Sequence, residues 1–265
     1  MGDVMCDVRY CVGRFLRDSE AMNWLMLRGL AREKRHFGDF PSTFERMLPG
    51  HRAFPMDLVG FGALSRTEVP LTLGEIVDEL RARFLAERPV EGPWSIFAIS
   101  LGGMVALEWA ARYPQDFQRV VVANTSAGNM SRVWERFMPA MWPKLPGLVL
   151  GDPLNRERTI LAVTVNSGVD KEAIAKRWRG WFDERQPRRR AFLRQIVAAA
   201  RSSLPERIEP PVLVMTSKAD RLVSWKCSER IATKLGARLE VHEAAGHDLS
   251  LDAPEWICER IAAWS

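Results

Sequence analysis

The chain predicts an α/β fold in which a mostly parallel sheet carries helices on both faces. Three observations support it. Short, continuously apolar runs alternate with helical stretches in both end portions of the sequence, as strands buried on both faces do. The alternation stops between about residues 130 and 204, where the chain reads as helical and rich in Trp, Met and Arg. It then resumes, so a helical segment interrupts one sheet. At 265 residues the chain suits one full core with such an inserted subdomain. The expected division is a first core part over 1–129, a helical cap over 130–205 and a second core part over 206–265. A cap placed there lies over the carboxyl ends of the strands, where open parallel sheets hold their sites.

The elements follow in order. Val4 to Phe15 is weakly patterned and supplies one or two edge strands. Trp24 to Leu27 is a buried strand closing at Arg28-Gly29. Pro41 to Leu48 reads as a short helix, with Ser42 and Glu45 at capping-box spacing. Ala53 to Leu58 is a strand that closes on Gly60-Phe61-Gly62. Thr72 to Glu87 is an amphipathic helix carrying Ile76, Leu80, Phe84 and Leu85. Trp94 to Ile99 is a strand followed at once by an apolar helix running to Tyr113. Val120 to Ala123 is the sixth strand when two edge strands are counted, and the cap follows it. Beyond the cap come a strand at Val212 to Met215, a helix at Lys226 to Leu235, a strand at Arg238 to His242 and a last helix from Pro254.

Bulk properties narrow the class. A hydrophobic content of 47% with 27% charged residues is that of an ordinary globular protein. No apolar run approaches the ~20 residues of a membrane span, and Asp3, Asp7, Arg9 and Arg14 interrupt any secretory core at the start. Cys6 stands where a myristoylation motif wants Ser or Thr. Cys6, Cys11, Cys227 and Cys258 have no metal spacing and read as reduced thiols, which implies a cytoplasmic protein without a metal. The net charge is +5, but residues 171–207 alone hold eleven Lys/Arg against four Asp/Glu. Positive charge confined to one segment points to a local anionic partner or a solvated face, not to nucleic-acid binding by the whole chain.

The segment Ala98-Ile99-Ser100-Leu101-Gly102-Gly103 carries the chemistry. A serine between a buried strand and an apolar helix, flanked by small residues at two positions before and after, is lifted from the sheet on a tight turn beside a free N–H. A hydroxyl at neutral pH needs a base, and the base needs an orienting group. His247 lies in the loop after the last strand and Asp220 in the loop after the strand before it. His242 competes with His247, but its place in a strand suggests packing; His36 and His51 also read as structural. Asp248 is the weaker rival of Asp220 because it adjoins His247 in sequence.

The order Ser100, Asp220, His247 resembles that of the α/β-hydrolase superfamily, in its lid-bearing esterase and lipase-like branch. The likeness extends to Arg28-Gly29-Leu30, Asp57-Leu58-Val59-Gly60-Phe61-Gly62, and Gly246-His247 followed by Asp252-Ala253-Pro254. It covers roughly residues 22–127 and 208–265. It implies an α/β-hydrolase fold and a cofactor-free serine hydrolase cleaving a carboxylic ester: Ser100 as nucleophile, His247 as general base and acid, Asp220 as orienting carboxylate. The backbone N–H groups of Leu30 and Leu101 would receive the oxyanion. A thioesterase, a C–C bond hydrolase, an acyltransferase or a non-catalytic receptor would share these features. The family usually has His before the glycine where this chain has Arg28, which either pairs within the core or faces an anionic substrate. Trp134, Met138, Trp142, Trp178 and Trp181 are the candidate substrate contacts in the cap, shared with its own core. A basic cap over an apolar pocket also resembles esterases whose substrates ride on an acidic acyl carrier protein.

Overall fold

The computed structural model describes residues 21–264. Six strands form one sheet, every neighbouring pair parallel, in the order β2-β1-β3-β4-β5-β6. They are β1 (Met22–Leu27), β2 (His51–Met56), β3 (Trp94–Ile99), β4 (Val120–Ala123), β5 (Val212–Ser217) and β6 (Arg238–His242). Between them run α1 (Phe40–Met47), α2 (Leu73–Glu87), α3 (Leu101–Arg112) and α9 (Trp225–Leu235), with α10 (Leu249–Asp252) and α11 (Pro254–Ala262) at the end. The helical insertion holds α4 (Val133–Arg136), α5 (Leu145–Leu150), α6 (Pro153–Thr164), α7 (Lys171–Arg185) and α8 (Arg189–Ala200). It follows β4, the fourth described strand; the edge strands expected over Val4 to Phe15 lie outside the described residues.

Successive strand side chains divide between two apolar layers, as the two-residue period of a strand requires. Leu25, Leu27, Ile96, Ala98, Val120 and Val122 face one layer, built with Ile76, Leu80 and Phe84 of α2, Val105 of α3 and Ile231 of α9. Trp24, Met26, Phe97, Ile99, Val121 and Ala123 face the other, built with Phe40 and Phe44 of α1 and Ile257 and Ile261 of α11. That double burial is why the strands read as unbroken apolar runs. The insertion has a small core of its own, in which Leu161, Val165, Ala175 and Trp178 pack together.

Local signals decide the helix starts. Thr72, the expected first residue of α2, instead caps it by accepting from the Glu75 N–H. The stripe keeps Ile76, Leu80 and Phe84 buried but leaves Leu85 exposed, one position out of phase. At α1 the expected capping box is absent. The Ser42 hydroxyl donates to the Asp39 carbonyl, and the Glu45 carboxylate accepts instead from the Ala53 N–H of β2. No described helix is long and apolar enough to cross a membrane.

The sheet changes direction of growth at β1, flanked by β2 on one side and β3 on the other. At that switch point β1 ends against the start of α3. A Cβ placed on Gly102 would lie 2.6 Å from the Arg28 carbonyl oxygen and 2.8 Å from that of Leu27. Gly102→Ala should therefore lower stability by about 1–3 kcal/mol through overpacking. Gly180→Ala, inside α7 with open space around it, should raise stability by about 0.5–1 kcal/mol through helix propensity. Paired calorimetric melts would show the opposite signs; two shifts of the same sign would contradict the packing at the switch point.

Candidate active site

Ser100 stands between β3 and α3 with φ 56° and ψ −119°, a conformation L-residues rarely adopt. Its N–H donates to the Ala123 carbonyl at 2.9 Å, and its own carbonyl accepts from the Thr125 hydroxyl at 2.8 Å. The strained turn is thus clamped by β4 and by the residues that follow it. The side chain is left half-buried at the wall of a cavity of about 550 Å³. Among the described residues its hydroxyl has no hydrogen-bond partner.

Gly29 lies beside it: a Cβ there would come within 3.0 Å of Ser100 Cβ. The next residue, Leu30, and Leu101 on α3 both line the cavity, and neither backbone N–H donates to an acceptor among the described residues. Unpaired N–H groups next to a hydroxyl suit a developing negative charge. The Leu30 loop is held from both sides. Ala31, at φ 56°, donates its N–H to the Gln195 side chain of α8, and the Gln195 amide donates to the Val59 carbonyl.

His247 and Asp220 sit after β6 and β5, as their sequence positions predict. His247 Nδ1 donates to Asp220 Oδ2 at 2.7 Å, with both side chains buried. A carboxylate has only acceptors, so the hydrogen lies on Nδ1, and Nε2 has no hydrogen-bond partner among the described residues. The other oxygen, Asp220 Oδ1, accepts from the N–H groups of Leu222 and Val223 at 2.8 and 3.0 Å, which fixes the carboxylate. His247 lines the same cavity as Ser100.

The histidine loop has supports that the sequence reading missed. The Asn124 amide donates to the carbonyls of Gly246 and His247, and its oxygen accepts from the Ser217 N–H. Asp252 accepts from the N–H groups of Gly246, Asn166 and Ser167, tying that loop to the insertion. The only local signal for Asn124 is a polar residue ending an otherwise apolar strand.

Arg28 is paired within the core. Its guanidinium meets the Asp248 carboxylate on both sides, at 2.6 and 2.9 Å, and donates to the Ser250 hydroxyl at 2.8 Å. It also lies over the Phe37 ring, 5.0 Å from the centroid. It also borders the cavity, with its charge matched by Asp248. Asp248, the rival acid, is occupied by this pair. His36 and His51 are held in structure. The Trp24 indole donates to His51 Nδ1 at 2.7 Å, and His36 packs edge-on to Trp178 and Trp181. Burial, with Arg32 and Arg28 nearby, holds His36 well below the ordinary histidine range, so it stays neutral.

Of the expected aromatic contacts, Trp178 and Trp181 line the cavity. Trp134, Met138 and Trp142 do not. Val133, Phe137 and Met141 line it instead. Trp134 is exposed under Arg132, and the Trp142 indole, also exposed, donates to the Phe137 carbonyl. No group of potential metal ligands occurs among the described residues.

A model described as the alpha/beta hydrolase family matches residues 24–260. A relative named "Putative carbamate hydrolase RutD", from Cronobacter turicensis, is 28% identical over 204 residues, covering 69% of each chain. The enol-lactonase of Burkholderia xenovorans LB400 superposes with a TM-score of 0.73 at 15% identity, over 94% of this chain and 92% of its own. A hydrolase from Pseudomonas aeruginosa does so with a TM-score of 0.71 at 21% identity, over 94% and 91%.

The Arg28–Asp248 pair yields a stability prediction. Burial pushes the Asp248 carboxyl up, but the charge and hydrogen bonds of Arg28, with that of Ser250, outweigh it and leave it below the ordinary range. A depressed carboxyl stabilises the fold above its unfolded value near 3.8 and loses that contribution as pH falls through its folded value. Asp248→Asn should cost about 3–5 kcal/mol near neutral pH, because it strands a buried guanidinium. In urea titrations the gap to wild type should narrow only below pH 3.8. A neutral effect at pH 7 would mean that the pair carries no net stability.

Proposed function

Because the chain belongs to the alpha/beta hydrolase family, we propose that it is a serine hydrolase that cleaves carboxylic esters through an acyl-enzyme. Ser100 Oγ attacks the ester carbonyl while its proton passes to His247 Nε2. The carbonyl oxygen gains the negative charge and is met by the N–H groups of Leu30 and Leu101. The tetrahedral intermediate collapses, the alkoxide leaves with the proton from the imidazolium, and the acyl group stays on Ser100. Water then repeats the sequence, giving its proton to His247 and releasing the acid. Asp220 keeps the imidazole in the tautomer this requires and stabilises its cation.

The observation that carries the reading is the strained Ser100 turn opening into the same cavity as a histidine whose Nδ1–H is bound by a buried, doubly hydrogen-bonded carboxylate. The insertion would act as the cap, over residues 130–205. Its apolar lining, including Met141, Phe182 and Phe192, suits an acyl chain, which needs burial but no directional bonds. An acyl group delivered on an acidic carrier protein is a narrower version of this reading. Its mark would be carrier-linked turnover that falls steeply with ionic strength while turnover of small neutral esters does not.

A fluorophosphonate probe should label wild-type protein at Ser100 and leave Ser100→Ala unlabelled. Asp220→Asn should keep the fold but lower kcat on a 4-nitrophenyl ester by about 10⁴-fold, since the imidazole then presents the wrong tautomer. Equal labelling of Ser100→Ala, or an Asp220→Asn variant as fast as wild type, would refute the assignment.

A further inference from the structure

The cavity wall is more positive than its role in apolar binding requires. Seven arginines and three carboxylates line it, an excess of four positive charges in a chain whose total is +5. Nearly all of the net charge therefore faces one concave surface, where low-dielectric walls strengthen its field.

Pairing accounts for some of these arginines. Arg28 is bound to Asp248, and Arg32 to Glu157 at 2.6 Å. Arg156 lies 3.4 Å from Glu157 and over the Phe182 ring. Four are left with no carboxylate partner among the described residues. Arg185, Arg188 and Arg189 are exposed and ring the cavity at the turn between α7 and α8. Arg136 differs in kind: it is half-buried and gripped only by neutral acceptors. Its Nε donates to the Ser126 hydroxyl at 3.2 Å, and its Nη2 to the Ala199 carbonyl at 2.6 Å and the Ser202 hydroxyl at 3.1 Å. Nη1 has no acceptor among the described residues. Burial disfavours its charged form, and no nearby carboxylate opposes that. A cation removed from water without a counter-ion is costly unless something supplies one.

Its place gives this meaning. Arg136 Nη2 reaches the Met104 sulfur at 3.9 Å, and Met104 is one helical turn beyond Ser100, its N–H donating to the Ser100 carbonyl. Arg136 thus borders the cavity that Ser100 also lines, with one nitrogen unengaged. We propose that the substrate is an anionic ester. An apolar part fills the cavity, a carboxylate elsewhere on the molecule binds Arg136, and Arg185, Arg188 and Arg189 draw it in from the mouth. The inference rests on the hydrolase reading and names its substrate class.

Two matched ester pairs test it. Mono-4-nitrophenyl adipate against 4-nitrophenyl hexanoate places the charge on the acyl side. The hexanoyl ester of 4-hydroxybenzoate against that of its methyl ester places it on the leaving side. In at least one pair the wild-type kcat/KM should favour the anion by roughly 10-fold to 100-fold, the worth of a charge-assisted hydrogen bond. The preference should shrink with added salt. In Arg136→Gln it should fall to near unity through KM, and Arg136→Lys should restore part of it. Should Arg136→Gln fail to fold, Arg185→Gln/Arg188→Gln/Arg189→Gln, altered only at exposed positions, should still lower the preference and flatten its salt dependence. Equal turnover of both members of both pairs, or a preference unchanged in the variants, would overturn the proposal and leave the hydrolase standing. If no ester is turned over and Ser100 resists the fluorophosphonate, the hydrolase reading itself has failed.

Discussion

The end of β1 and the start of α3 approach so closely that no side chain fits between them. Gly102 meets the carbonyls of Leu27 and Arg28, and Gly29 meets the side chain of Ser100. That approach puts the Leu30 loop beside the Ser100 turn, and the two N–H groups at the hydroxyl come from elements otherwise remote in sequence. The strain at Ser100, at φ 56°, persists because β4 and the residues after it hold both sides of its peptide. Everything else at the site is arranged around this fixed point. Asp220 and His247 arrive on the two strands beyond β4, and Asn124 pins the backbone of His247 from the end of β4 itself.

The insertion is joined to this arrangement by charge and hydrogen bonds as well as by apolar contact. Arg32 pairs with Glu157 and lies over the Trp178 ring, while Arg35 pairs with Glu184 and lies over that of Trp181. Gln195 holds the Leu30 loop, and Asp252 holds Asn166 and Ser167. Motion of the insertion would therefore pull on the two loops that carry the Leu30 N–H and the His247 imidazole.

The parts legible in the sequence are those fixed by local rules. The strands were legible because burial on both faces demands unbroken apolar runs, and the Ser100 turn because the strand–helix approach demands small residues such as Gly102. Loops following β5 and β6 placed Asp220 and His247 by topology alone. The parts that were not legible depend on partners far away in the chain. Arg28 pairs with a residue 220 positions later, so its role could not be settled from its neighbours. Within the insertion, composition announced Trp and Met residues without saying which of them border the cavity, which Val133, Phe137 and Met141 line as well. Asn124 and Gln195 carry no local mark of the loops they hold.

A crystal structure of a fluorophosphonate adduct tests the proposed proton relay directly. The phosphorus should be bonded to Ser100 Oγ, with its oxygen about 2.7–3.1 Å from the N–H groups of both Leu30 and Leu101. His247 Nε2 should lie within hydrogen-bond reach of an adduct oxygen while Nδ1 still holds Asp220. An adduct on another side chain, or a phosphoryl oxygen turned away from both N–H groups, would contradict the account.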